Sequence, residues 1–167
     1  MRMVVRETRA DYYEAWLAVQ NSARTVVKVS ERNLAKVGIS VGEFLALRTL
    51  ATSGPCPMVE LAKEQFISPP ALTSIIDSLE KQGLVERVRS EEDRRVINIK
   101  ITGRGGKLFA RAQVLYKQFF ENVMHALTKQ EINVLLTAFD KLSKNAQMYP
   151  VENINLASTR GKNIRKL

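Results

Sequence analysis

A mainly α-helical domain with one small β-wing is predicted by three observations on this sequence. Apolar residues recur at helical spacing through most of its 167 residues. The period switches to strand-like alternation once, between Leu84 and Ile101. Ser40, Ser68 and Thr128 stand as N-caps where helical runs begin. The resulting order is helix, helix, short helix, helix, hairpin, then two long helices. That order describes a winged helix-turn-helix flanked by N- and C-terminal helices.

Each element has its own signal. Asp11 to about Val37 reads as a long helix, with Tyr12, Trp16, Val19, Ala23, Val26, Val27 and Leu34 at intervals of three, four and seven. Gly38 stops it, and Ser40 with Glu43 forms a capping box for a helix over Val41 to Thr52 that turns Phe44, Leu45, Leu47 and Leu50 inward. Ser53 to Pro57 reads as a breaker. A short helix follows from about Val59 to Gln65, closed by Phe66 and Ile67. Ser68 then caps a helix over Pro69 to Gln82, with Pro69 at the first helical position, where its missing N–H costs nothing. Leu72, Ile75, Ile76 and Leu79 are its buried face, and Gly83 ends it.

Leu84, Val85, Arg87 and Val88 form one strand; Val96, Ile97, Ile99 and Ile101 form the other, with Asn98 and Lys100 pointing outward. The seven residues from Arg89 to Arg95 make a polar hairpin tip too long for a two-residue turn. Thr102 caps the next helix, whose first turn is weakened by Gly103, Gly105 and Gly106. The helical pattern then runs from Lys107 to Leu127 through Leu108, Ala112, Leu115, Phe119 and Val123. Thr128 and Glu131 form a second capping box, and Ile132, Leu135, Leu136, Phe139 and Leu142 line the last helix.

Composition excludes several functions. Lys and Arg number 26 against 17 Asp and Glu, giving a net charge of +9, which favours a polyanionic partner over a neutral one. No run approaches the roughly 20 apolar residues of a membrane helix, and no apolar segment follows the basic residues near Met1, so a cytoplasmic location is expected. One Cys and one His leave no disulfide, no C-x-x-C pattern and no diagnostic metal set. His125 and Glu121, four residues apart on a helix, read as a surface pair. With no nucleotide loop, triad or carboxylate pair, an enzyme and a cofactor are not expected.

The helix after Ser68 carries the positive signal. It presents Pro70, Ala71, Thr73, Ser74, Asp77 and Ser78 opposite its buried face. Short side chains let a helix approach the floor of the DNA major groove, and hydroxyls bond bases or phosphates. Asp77 could accept from a cytosine amine or face solvent. The hairpin supplies cations: Arg89, Arg94 and Arg95 near its tip, and Lys100 on the outgoing strand. Guanidinium groups on a thin hairpin suit the electronegative minor groove. Among the acids of the tip, Asp93 is expected to tie a wing arginine and hold the loop's shape. Double-stranded DNA is therefore the expected partner, read at Ser68, Pro70, Ala71, Thr73, Ser74 and Ser78 and gripped at Arg89, Arg94, Arg95 and Lys100.

The segment Leu79-Glu80-Lys81-Gln82-Gly83-Leu84-Val85-Glu86-Arg87, continuing through Asp93-Arg94-Arg95 to Ile101-Thr102 and Gly105, resembles the MarR/SlyA transcriptional regulators. The resemblance spans about Asp11 to Gln147. It implies a dimer made by the first and last helices on a palindromic operator. It also implies that Arg95 is the minor-groove wing arginine, that Asp93 is its structural partner, and that Ser68 to Ser78 is the recognition helix. Pro69-Pro70, Gly103, Gly106 and the basic tail depart from the pattern. The flanking helices also carry more apolar surface than so small a domain can cover alone, and a two-fold dimer would set two recognition helices roughly 34–36 Å apart.

The domain is accordingly placed at residues 1–150. The winged helix lies at about 40–102, with dimerisation helices at about 11–37 and 107–147. Residues 151–167 are a flexible basic tail whose removal should weaken all DNA binding about equally. The resemblance further implies release by a small phenolic or aromatic ligand, or a reactive cysteine. Tyr12, Tyr13, Trp16, Arg24 and Phe44 are the residues that would line such a pocket, although aromatics at helical spacing more often serve packing. Cys56, between two prolines and with no adjacent cation, reads as inert. A non-specific architectural DNA-binding protein is the alternative that the pI and tail allow.

Overall fold

A computed structural model describes residues 11–90 and 95–148. In chain order the elements are α1 (Tyr12–Ala35), α2 (Val41–Ser53), β1 (Cys56–Pro57), α3 (Met58–Glu64), α4 (Pro69–Lys81), β2 (Val85–Arg89), β3 (Ile97–Ile101), α5 (Gly103–Met124) and α6 (Lys129–Gln147). The expectations for Asp93, Arg94 and the basic tail fall outside the described residues. The chain divides into two compact units, Met1–Phe120 and Glu121–Leu167. No helix among the described residues is long and apolar enough to cross a membrane.

The first unit is built around α2 and α4. The Asp11 carboxylate accepts from the backbone N–H groups of Tyr13 and Glu14 and starts α1. Only Ser30 and Leu34 of α1 are buried, so most of its broad apolar face stays open. The expected box at Ser40 and Glu43 starts α2. Phe44, Leu47 and Leu50 enter the core, where the Phe44 ring packs on Phe109 and Tyr116 at centroid distances of 5.7 and 4.3 Å. Leu72, Ile76 and Leu79 of α4 are fully buried, each worth about 1.5–3 kcal/mol of apolar transfer. Gly83, at φ +70°, reverses the chain into β2.

The sheet has three strands in the order β1-β3-β2, all antiparallel. The sequence predicts only two. β1 is a two-residue edge strand, with Cys56 opposite Ile99 and Pro57 opposite Asn98. Two prolines around one cysteine signal a break, yet proline fits an edge strand, where no neighbour needs its N–H. With β3 central, Asn98 is half-buried between Pro57 and Val88 instead of pointing outward. Ile97 is exposed, because it pairs with Arg89 at the tip end of the hairpin, beyond the core. Phe66 has φ +53° and is 95% exposed, a left-handed turn that its bulky side chain does not announce.

In the second unit, Thr128 and Glu131 form the predicted box at the start of α6. The Thr128 backbone N–H, then its hydroxyl, hold the Glu131 carboxyl below its ordinary range. The box therefore stabilises α6 above the unfolded-state pKa, and that contribution is lost as pH falls through the lowered one. No residue of α6 is buried. Leu136, Phe139 and Leu142, on the apolar face read from the sequence, are all exposed within this single chain.

Candidate nucleic-acid interface

Helix α4, the expected recognition helix, is held by two sets of contacts. On one side lies Glu43, only 8% exposed. Its Oε2 accepts from the Ser40 backbone N–H at 2.8 Å and the Ser40 hydroxyl at 3.1 Å. Its Oε1 accepts from the Ser78 hydroxyl at 2.6 Å and the Gln82 side-chain amide at 3.1 Å. One buried carboxylate thus caps α2 and anchors the C-terminal half of α4. On the other side lies Arg87 of β2, which donates to Asp77 at 2.5 Å and also to Glu80. These two acids stand three residues apart on α4 and grip one guanidinium, locking the helix to the base of the wing.

These contacts give Ser78 and Asp77 partners within the protein. The exposed Ser78 hydroxyl donates to Glu43, which ties this part of the expected DNA face to α2. Asp77 faces solvent, with 58% of its side chain exposed, and is paired there with Arg87. The role of Arg87 escapes sequence reading, since the pairing spans ten residues and crosses from helix to strand.

The remaining helix residues form one open face. Ser68, Pro70, Ala71, Thr73 and Ser74 are all exposed. Ser68 occupies the N-cap position but its side chain makes no cap bond; Pro69 and Pro70 at the first two helical positions have no N–H to offer, and the N–H of Ala71 is not used. The Thr73 hydroxyl donates to the Pro69 carbonyl at 2.9 Å and the Ser74 hydroxyl to the Pro70 carbonyl at 3.3 Å. With the hydroxyl hydrogens on helix carbonyls, the oxygen lone pairs point outward as acceptors for base amines. Rotation converts either group into a donor for a phosphate.

In the wing, the Ser90 N–H donates to the Val96 carbonyl at 2.9 Å and closes the ladder below the tip. Arg89 and Arg95 flank that closure and are exposed. Lys100 lies opposite Glu86, about 10 Å back along the strand, and pairs with it at 3.4 Å. An exposed pair of this kind contributes at most about 1 kcal/mol, so a phosphate can replace the carboxylate. Among the residues expected to hold an effector, Tyr12 is 91% exposed, while Tyr13, Trp16 and Arg24 are exposed on α1. Phe44 is 2% exposed in the core and does not join them.

Burial, then the carboxylates of Glu60 and Glu64, push the Cys56 thiol up, so the unreactive protonated form dominates at neutral pH. Alkylation by iodoacetamide at pH 7 should run several-fold slower than with a free cysteine. An equal or faster rate would reopen a redox role for Cys56.

An uncharged helix face offered beside a basic hairpin defines a winged helix-turn-helix transcriptional regulator. The chain belongs to the MarR family, whose profile matches residues 39–97. It is 33% identical over 106 residues to the uncharacterized HTH-type transcriptional regulator YpoP of Bacillus subtilis, covering 64% of this chain and 75% of that protein. The transcriptional regulator BldR from Sulfolobus solfataricus superposes with a TM-score of 0.70 at 25% identity, over 81% of this chain and 99% of that one. BpsR of Bordetella bronchiseptica, whose DNA binding is regulated by 6-hydroxynicotinic acid, superposes with a TM-score of 0.73 at 18% identity, over 80% and 96% of the two chains.

Proposed function

We propose that this regulator binds a palindromic promoter site as a homodimer, reading bases with Ser68, Pro70, Ala71, Thr73 and Ser74 and gripping the minor groove with Arg95. The observation that carries this reading is the double anchorage of α4 by Glu43 and Arg87. It fixes an uncharged reading face relative to a cationic hairpin. Arg89, Arg94 and Lys100 supply backbone affinity, and Asp93 shapes the tip. The dimer is supported by apolar residues left bare on both flanking helices, including Trp16 and Val27 on α1 and Leu136 and Phe139 on α6. A second copy would cover them. The protein acts in the cytoplasm, where its promoter lies.

The test is a gel-shift titration on fragments selected from the source genome. A palindrome should be preferred over random duplex by about 10³ at fixed salt. A weak preference with a steep salt slope would instead identify a non-specific architectural protein. Arg95→Ala should cost about 1–3 kcal/mol of affinity for the selected site; unchanged affinity would remove Arg95 from the interface.

Release by a small aromatic or phenolic compound is the regulatory part of this reading. It is supported by the likeness to BpsR and by Tyr12, Tyr13, Trp16 and Arg24 on the open face of α1. Screening such compounds for dissociation of the selected complex tests it, and Trp16 fluorescence reports binding directly.

A further inference from the structure

We infer that a cavity of about 330 Å³ beside the start of α5 binds a small, multiply charged oxyanion. Arg104, Lys107 and Arg111 form one wall. Their spacing of three and four residues puts all three on one face of α5, over about 10 Å of its length. Val37, Leu84 and Leu108 line the cavity as apolar surface, and the Gln82 amide adds a neutral hydrogen-bonding group. None of its lining residues is acidic.

The plain alternative is that these are three solvated surface cations. Their surroundings argue otherwise. Arg87, Lys100 and Lys144 each have a carboxylate within 4.0 Å, whereas Arg104, Lys107 and Arg111 make no such pair among the described residues. Three unneutralised cations have gathered around a concavity, not on a convex face. The partial charges of the nearby helix ends do not reverse this: the positive start of α5 and the negative ends of α1 and α4 leave a net of about half a negative charge, far short of three cations. A single carboxylate would leave most of the positive charge uncompensated; a phosphate or a di- or tricarboxylate would match it. The volume lies at the small end of ligand pockets, which favours compact anions.

The site is separate from the DNA-reading face. It touches α4 at Gln82, about 20 Å along the helix from Pro69, where bases are read. The inference therefore does not rest on the proposed operator binding.

Isothermal titration of the full chain with inorganic phosphate, and separately with citrate, tests it. One or both should bind with one site per chain at about 1 mM or tighter. The charge-neutral variant R104Q/K107Q/R111Q should bind at least tenfold more weakly, with an unchanged melting temperature, and Lys107→Gln alone should fall between. Preference between the two titrants distinguishes the phosphate from the polycarboxylate class. No heat from either anion, or equal binding by wild type and the triple variant, overturns the proposal. So does a triple variant that loses only non-specific DNA affinity and salt dependence, because the cations would then belong to the DNA backbone.

Discussion

Gly105→Ala is expected to destabilise the protein by about 3 kcal/mol, lowering its melting temperature by roughly 6–12 °C. On helix propensity alone the sign would be opposite, since alanine is favoured over glycine by about 1 kcal/mol in a helix. The structure reverses it. A Cβ at this position would collide with the backbone carbonyl of Leu84 and stand 2.9 Å from Ile101 Cγ1. The Leu84 carbonyl cannot retreat cheaply, because it accepts from the Thr102 N–H at 3.0 Å and shares the Thr102 hydroxyl, at 3.2 Å, with the Gly83 carbonyl at 2.8 Å. The same hydroxyl accepts from the Gly105 N–H at 3.0 Å. The first turn of α5 is thus clamped to the start of the wing. Gly106 has nothing within 4 Å of its corresponding position, so Gly106→Ala should stabilise by up to about 1 kcal/mol. Thermal melts of the two variants should move in opposite directions. Two shifts of the same sign would mean that the contact with Leu84 is not decisive.

Glu43→Ala should cost a comparable amount, about 3 kcal/mol. It removes a charged acceptor from Ser40, Ser78 and Gln82 together, and bonds to charged groups are worth about 1.5–3 kcal/mol each before their overlap is discounted. Glu131 provides an internal control. It makes the same capping box on α6 but no bond to another helix. Urea unfolding should therefore show a clearly larger loss for Glu43→Ala than for Glu131→Ala. Equal losses would reduce Glu43 to a cap. Glu43→Gln, which keeps the shape and one acceptor oxygen, should fall between wild type and Glu43→Ala. Because Ser78 and Gln82 lie on the recognition helix, Glu43→Ala should also weaken cognate DNA more than random DNA.

Much of this protein was legible in order along the chain. The capping boxes at Ser40 and Thr128, the proline start at Pro69 and the reversal at Gly83 all stand where their residue types place them. Each is a signal contained within about four residues. The three glycines after Thr102 read as uniform weakness, but they are not equivalent: Gly105 is required by its neighbour and Gly106 is not. Ser78 reads as a groove contact because it stands on the polar face of its helix, and its bond to Glu43 is visible only once the fold brings that carboxylate beside it. β1 was hidden because two prolines describe a break equally well whether or not a strand lies alongside.

The sequence by itself determined the order of the helices and the hairpin, the two capping boxes, and the uncharged face at the start of α4. Local periodicity and capping chemistry suffice for those. Tertiary structure decided which polar groups remain available. Glu43 reaches across 35 residues to Ser78 and 39 to Gln82, and Arg87 reaches back from a strand to Asp77 and Glu80. Such pairings depend on how α2, α4 and the wing meet in space, because a buried carboxylate must find donors wherever the fold brings them. The consequence is a helix α4 whose C-terminal half is anchored and whose exposed N-terminal residues, among them Ser68, Thr73 and Ser74, stay available for the proposed DNA contact.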